Sequence, residues 1–131
     1  MDYNIISALE NLTPGASWSL PRNPNANSEY ERLVWHDENI QKPTEEEIVQ
    51  KVAELEYKKE VEVYKQQRAA EYPSMADQQD MQFHDAINGT TTWKDAIQAV
   101  KDKYPKKKMN TRTLNKRKKD ALAKLEASRE S

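Results

Sequence analysis

Residues 72–97, YPSMADQQDMQFHDAINGTTTWKDAI, decide how this chain is read. Tyr72 and Pro73 form a break, because the residue ahead of a proline is pushed out of the α region. Ser74 with Asp77 is a helix-start signal, the serine oxygen being able to accept from an amide of the first turn. Met75, Gln79, Gln82 or Phe83, Ala86 and Ile87 then recur at helical spacing. Asn88 and Gly89 stop that helix, with glycine taking up the left-handed cap. The same pair is also a hairpin-turn signal, but the helical periodicity on both sides favours the cap. Thr92 and Asp95 give a further start, and Trp93, Ala96, Ile97, Val100 and Tyr104 form a second stripe closed by Pro105. The stretch therefore predicts a helical hairpin. Two short helices cannot bury Met81, Phe83 and Trp93 between themselves, so one face needs a long helix, a β-hairpin or another subunit.

Upstream, Thr44 and Glu47 spell a capping box, in which each side chain serves the other's amide. The long helix that starts there meets no glycine or proline before Pro73, and at ~1.5 Å per residue it is about 42 Å long. Its apolar rows are Ile48, Val52 and Leu55, then Val49, Ala53, Tyr57, Val61 and Tyr64. From Lys58 to Arg68 the row narrows, which suits either a bundle contact or a solvated helix with a tertiary dock. Before it, Ile5, Ile6, Leu9 and Leu12 predict a short helix capped by Asp2, ended by a Pro14-Gly15 type II turn. SWSL and RLVWHD read as two short strands joined by the Pro- and Asn-rich connector PRNPNANSEY. Such a hairpin is marginal alone and requires a helix behind it.

Downstream of Pro105, Asn110 or Thr111 caps a last helix with a narrow stripe of Leu114, Ala121, Leu122 and Leu125. From Lys101 onward the chain has 12 basic and 4 acidic residues, net +8, against 9 and 18 before it, net −9. It is an acidic body with a basic arm. The expected fold is α+β: a short N-terminal helix, a two-stranded β-hairpin, a long central helix, a helical hairpin and a basic C-terminal helix. The boundaries are 1–43, 44–72, 73–105 and 106–131, one domain plus an arm.

Leu, Ile, Val and Phe number only 21 of 131 residues, under the roughly 20% typical of well-filled globular chains. So thin a core calls for completion by a partner or a second copy. There is no cysteine, hence no disulfide framework and no thiolate metal site. No apolar run spans a bilayer and the first residues lack a signal peptide's basic flank, so the chain is expected to be soluble and intracellular. The sequons at Asn11 and Asn88 then carry no weight.

The residues of catalysis are not assembled into any local signature. Gly15 and Gly89 are the only glycines, so no phosphate-cradling loop exists. WHD at 35–37 and FHD at 83–85 offer a two-His, two-Asp metal reading, set against two interface or capping histidines; the second is favoured, since no other His or Cys supports a metal. Asp77, Asp80 and Asp85 read as helix-start and solvent-facing charges. No enzyme activity, metal or cofactor is expected. Trp18, Trp35 and Trp93 suit core packing and interface anchoring alike. The surface expected to meet partners comprises Trp35, Tyr57, Val61, Tyr64, Phe83 and Trp93. The arm's cations are Lys106, Lys107, Lys108, Arg112, Lys116, Arg117, Lys118 and Lys119. They suit an acidic protein surface, including the chain's own body, a phosphate backbone or simple solvation, and without interleaved aromatics they do not suit base stacking.

Three blocks in order carry a resemblance: LENLTPGASWSL, LVWHDENIQKPTEEEI and YPSMADQQDMQFHD. They resemble small proteins encoded among tail genes of tailed bacteriophages, the XkdW-like group and its relatives, over roughly Ala8 to Lys106. The first block carries it through Pro14, Gly15, Ala16 and Trp18. The second does so through Leu33, Trp35, Asp37, Pro43, Thr44, Glu47 and Ile48. In the third the matching residues are Tyr72, Pro73, Gln78, Asp80, Met81, His84 and Asp85. Gln79 and Gln82 depart from the pattern where apolar residues are usual, and Phe83 stands where Trp or Tyr is usual. The resemblance implies a non-catalytic tail-region structural or accessory protein, present in the host cytoplasm during assembly and then in the virion tail. Its partners would be tail, baseplate or fibre subunits or a second copy, with no membrane. A tail or tail-fibre assembly chaperone is the alternative, and nucleic-acid binding through the arm a less favoured one.

Overall fold

The computed structural model describes residues 4–130. Among them are six helices and one two-stranded antiparallel sheet, a helix-rich α+β fold. The elements are α1 Ile5–Leu12, β1 Trp18–Ser19, α2 Glu29–Arg32, β2 Val34–Trp35, α3 Glu45–Glu71, α4 Met75–Asn88, α5 Thr92–Lys103 and α6 Thr111–Glu130. They form two compact units, one of residues 1–58 with 109–131 and one of residues 59–108. The first takes the beginning of α3 and the second its end.

In the first unit α1 starts at Asn4, whose Oδ1 accepts the Ser7 amide; the Asp2 cap expected from sequence lies outside the described residues. Ile5, Ala8 and Leu9 are buried, whereas Ile6, one residue off that stripe, faces solvent. The chain then turns at Pro14-Gly15: Ala16 N donates to Thr13 O, and Gly15 at φ +77° takes the position where a side chain would be strained. β1 and β2 pair Trp18 with Trp35 and Ser19 with Val34. Asp37 fastens the sheet end, its carboxylate accepting the amides of Ser17, Asn39 and Ile40. Those three bonds hold its carboxyl below the usual range.

Two sequence expectations are corrected here. The connector contains a helix, α2, because Ser28 Oγ accepts the Glu31 amide and Glu31 reaches back to the Asn27 amide. Arg32 then donates to the carbonyls of Leu20 and Pro21, holding the loop against the strands. More consequentially, the basic segment is not a separate arm. Leu125 lies in the core with Ile5, Leu9, Leu33, Ile48, Val49 and Val52, and Ala121 and Leu122 pack at its edge. The remaining pairs run antiparallel along α3. Arg129 donates to Glu45 and Glu46 at 3.0 and 2.6 Å, Lys118 lies 3.8 Å from Glu54, and Arg117 stacks over the Tyr57 ring. Asn110 N donates to the Tyr57 hydroxyl, and its side chain accepts the Thr113 amide at the start of α6. The apolar stripe of α6, too narrow to suggest a partner in sequence, completes a core that α1, the sheet and α3 leave open.

The second unit is the helical hairpin with the last turns of α3. The capping box at Thr44–Glu47 that starts α3 is formed as the sequence predicts, and α3 ends ahead of Pro73. Ser74 caps α4 through the Asp77 amide, and Gly89 closes it at φ +66°. Arg68 of α3 donates to the carbonyls of Tyr104 and Lys101 at the end of α5, where a cation also suits the helix dipole. Glu71 accepts from Lys103 Nζ and the Tyr104 hydroxyl at 2.8 and 2.7 Å. Tyr64 and Val100 are buried in this unit.

Candidate docking surface

Asp85 sets the geometry of the α4–α5 hairpin. Its carboxylate accepts the hydroxyls of Thr90 and Thr92 and the amides of Thr92 and Trp93, at 2.6 to 3.0 Å. Partial desolvation pushes the carboxyl up, but these four bonds together hold it well below the usual carboxylate range. This corrects the expected local Thr92 and Asp95 cap. The N-cap position is Thr91, with no side-chain cap bond of its own, and the orphan amides of α5 are served instead from the preceding helix. A second link joins Trp93 Nε1 to Gln78 Oε1 at 3.2 Å, while Gln78 Nε2 donates to Pro73 O.

These bonds fix which side of α4 faces α5. Gln78, Met81 and Asp85 are half-buried, and at 100° per residue they span about 60° of the helix circumference. Almost opposite them lie Ala76, Phe83 and Ile87, with Gln79, Ala86 and Met75 successively nearer the side, all exposed, over an arc of about 120°. Met75, Phe83 and Ile87 are 70%, 69% and 65% accessible, a degree of exposure that isolated surface apolar residues do not usually share along one stripe. Trp93 on α5 is 37% accessible, its indole nitrogen already satisfied. Asp80 and Gln82 flank the α4 arc, and α4 carries no lysine or arginine.

The residues expected to meet partners are thus divided. Phe83 and Trp93 are exposed on the hairpin, whereas Tyr57 and Tyr64 are buried within their own units, so the expectation that they offer surface is corrected. Tyr57 is covered by Arg117 and bonded to the Asn110 amide, and Tyr64 is covered by Arg68. Trp35 is half-buried with its indole N–H on Ile40 O, and Val61 is half-buried. Met75 and Ile87 are missing from the set read off the sequence. Their signal was the same helical stripe that defines α4; only the position of Asp85 says that the stripe points outward.

The basic residues divide as well. Arg117 and Lys118 dock α6. Arg112, Lys116 and Lys119 are exposed, as are Lys106, Lys107 and Lys108 in the connection before the helix.

The motif residues that carry the resemblance are largely occupied in building the fold. Pro14 and Gly15 make a turn, Asp37 ties the sheet end, Thr44 and Glu47 cap α3, and Gln78 and Asp85 set the hairpin. The two His-Asp pairs have local roles too: His36 Nε2 meets Ser19 Oγ at 2.9 Å, and His84 Nδ1 accepts from Asn88. Among the described residues no three His, Cys, Asp or Glu side chains gather to hold a metal ion. Every buried side-chain nitrogen and oxygen there has a hydrogen-bond partner. No helix of the described residues is long and apolar enough to cross a membrane.

No protein-family model, curated protein or solved structure matches the chain.

Proposed function

We propose that this chain is a non-catalytic structural or accessory protein of a bacteriophage tail, which joins neighbouring tail, baseplate or fibre subunits through the outward face of α4. The observation that carries the docking reading is the exposed arc of Met75, Phe83 and Ile87, set away from the side of α4 that Asp85 and Gln78 tie to α5. Burying a large apolar side chain contributes about 1.5–3 kcal/mol, so three of them form the centre of an interface rather than its rim. Gln79, within the arc, gives the partner a place for a hydrogen bond. The tail context rests on the three sequence blocks, and the engagement of their residues in caps and turns supports a scaffold role over a reaction.

An assembly chaperone that holds a tail or fibre protein and leaves before the virion is complete would use the same face. Mass spectrometry of purified particles separates the two. A fixed copy number per particle is expected for the structural role, whereas absence from particles with co-purification of a tail protein from assembly lysates selects the chaperone. Absence from both refutes the tail reading.

A further inference from the structure

The stretch from Pro105 to Lys119 holds eight cations and no acidic residue. α6 uses Arg117 and Lys118 to dock on α3 and turns Arg112, Lys116 and Lys119 away. Lys119, Arg112 and Lys116 follow one another within about 60° of the solvent side, are exposed, and their side chains make no ion pair or hydrogen bond to any described residue. We infer that this face of α6 is a docking surface for the phosphodiester backbone of duplex DNA.

Two features favour a phosphate backbone over an acidic protein, and a third favours an anion of either kind. The α6 face is lysine-rich and has no exposed large apolar side chain, whereas protein interfaces are depleted in lysine and centre on apolar or aromatic anchors. Along the axis the three cations are spaced by about 6 and 4.5 Å, the same order as the about 3.4 Å of duplex axis per phosphate of one strand, so a single row of them spans several phosphates. Arg112 also stands in a first turn without any acidic residue, against the helix dipole, and an approaching anion offsets that arrangement. The segment contains no aromatic residue, which favours duplex over stacked single strands. Asn115 and Thr111, exposed beside the cations, are side chains of the kind that contact phosphate without reading sequence.

The test is fluorescence anisotropy of the full chain with a 20-base-pair duplex between 50 and 200 mM salt, for wild type and the R112Q/K116Q/K119Q variant, with helicity checked by circular dichroism. Each phosphate contact adds about 0.9 to the slope of log affinity against log salt. The variant is therefore expected to lose about 2.7 from the slope, and its affinity becomes roughly 40-fold less sensitive to salt over that range. Whatever Lys106–Lys108 add is common to both proteins. No binding at 50 mM, or an unchanged slope in a folded variant, overturns the proposal. Competition by polyaspartate equal to that of DNA at the same charge concentration also overturns it, and assigns the face to an acidic protein. A variant with a polar α4 face is expected to bind DNA as wild type does, so this result and that of the tail reading are independent.

Discussion

Replacing Leu125 by Ala asks whether α6 belongs to the core or merely lies on it. Leu125 is 3% accessible, in a cluster with Ile5, Leu9, Leu33, Ile48, Val49 and Val52. The substitution removes three carbons, and at ~0.8 kcal/mol per buried methylene the transfer loss is about 2.4 kcal/mol. A residual cavity adds to this, but half-buried Ala121 and Leu122 beside it let the site relax, so a total of about 3 kcal/mol is expected. Urea unfolding followed by tryptophan fluorescence in a W93F background measures it, because the two remaining tryptophans, Trp18 and Trp35, both pack on this core. Deleting residues 109–130 in the same background should unfold the first unit. A cost below about 1 kcal/mol for L125A, or an unchanged midpoint after the deletion, would show that α6 contributes nothing to the core and would refute the reasoning.

The Asp85 carboxyl is depressed in the folded chain, so its stabilisation is complete above the unfolded value of about 3.9 and is lost as pH falls towards the native one. D85N should lower the urea midpoint of the hairpin at pH 7, and the gap to wild type should narrow steadily as pH falls below about 4; a gap that stays constant contradicts the role of the charge. Gly89 has φ +66° and, its own chain neighbours apart, no atom within 4 Å of the place a Cβ would occupy, so G89A meets only the left-handed backbone penalty and should cost about 1–2 kcal/mol. G89N should cost less by the same denaturation measurement, since asparagine tolerates that conformation; equal costs would indicate a steric cause.

Much of this architecture is legible in the sequence where its causes are local. Thr44 with Glu47, Ser74 with Asp77, and Gly89 specify helix ends through atoms a few residues apart, and those ends stand where the pattern puts them. The same grammar starts α2 at Ser28 and Glu31, where the prolines and asparagines of the connector mask it as a loop. What the sequence does not disclose depends on contacts across longer separations. Asp85 reads as a solvent-facing charge until Thr92 and Trp93 fold back onto it. The stripe of Leu114, Ala121, Leu122 and Leu125 names no partner, because a narrow apolar row fits a frayed helix and a docked one equally. At the docking surface Phe83 and Trp93 are recognisable as candidates, while Tyr57 and Tyr64 have the same residue type and spacing as an interface row and are instead covered by Arg117 and Arg68.

The outward face of α4 is tested most directly by competition during assembly. Equal supplies of wild-type chain and an M75Q/F83Q/I87Q variant, isotopically distinguished, are offered to assembling particles, and their ratio in purified virions is read by mass spectrometry. The three side chains are exposed, so the variant should fold as wild type does yet be depleted at least tenfold, the equivalent of about 1.4 kcal/mol of lost docking. Incorporation of the two chains in equal amounts would contradict the assignment of this face.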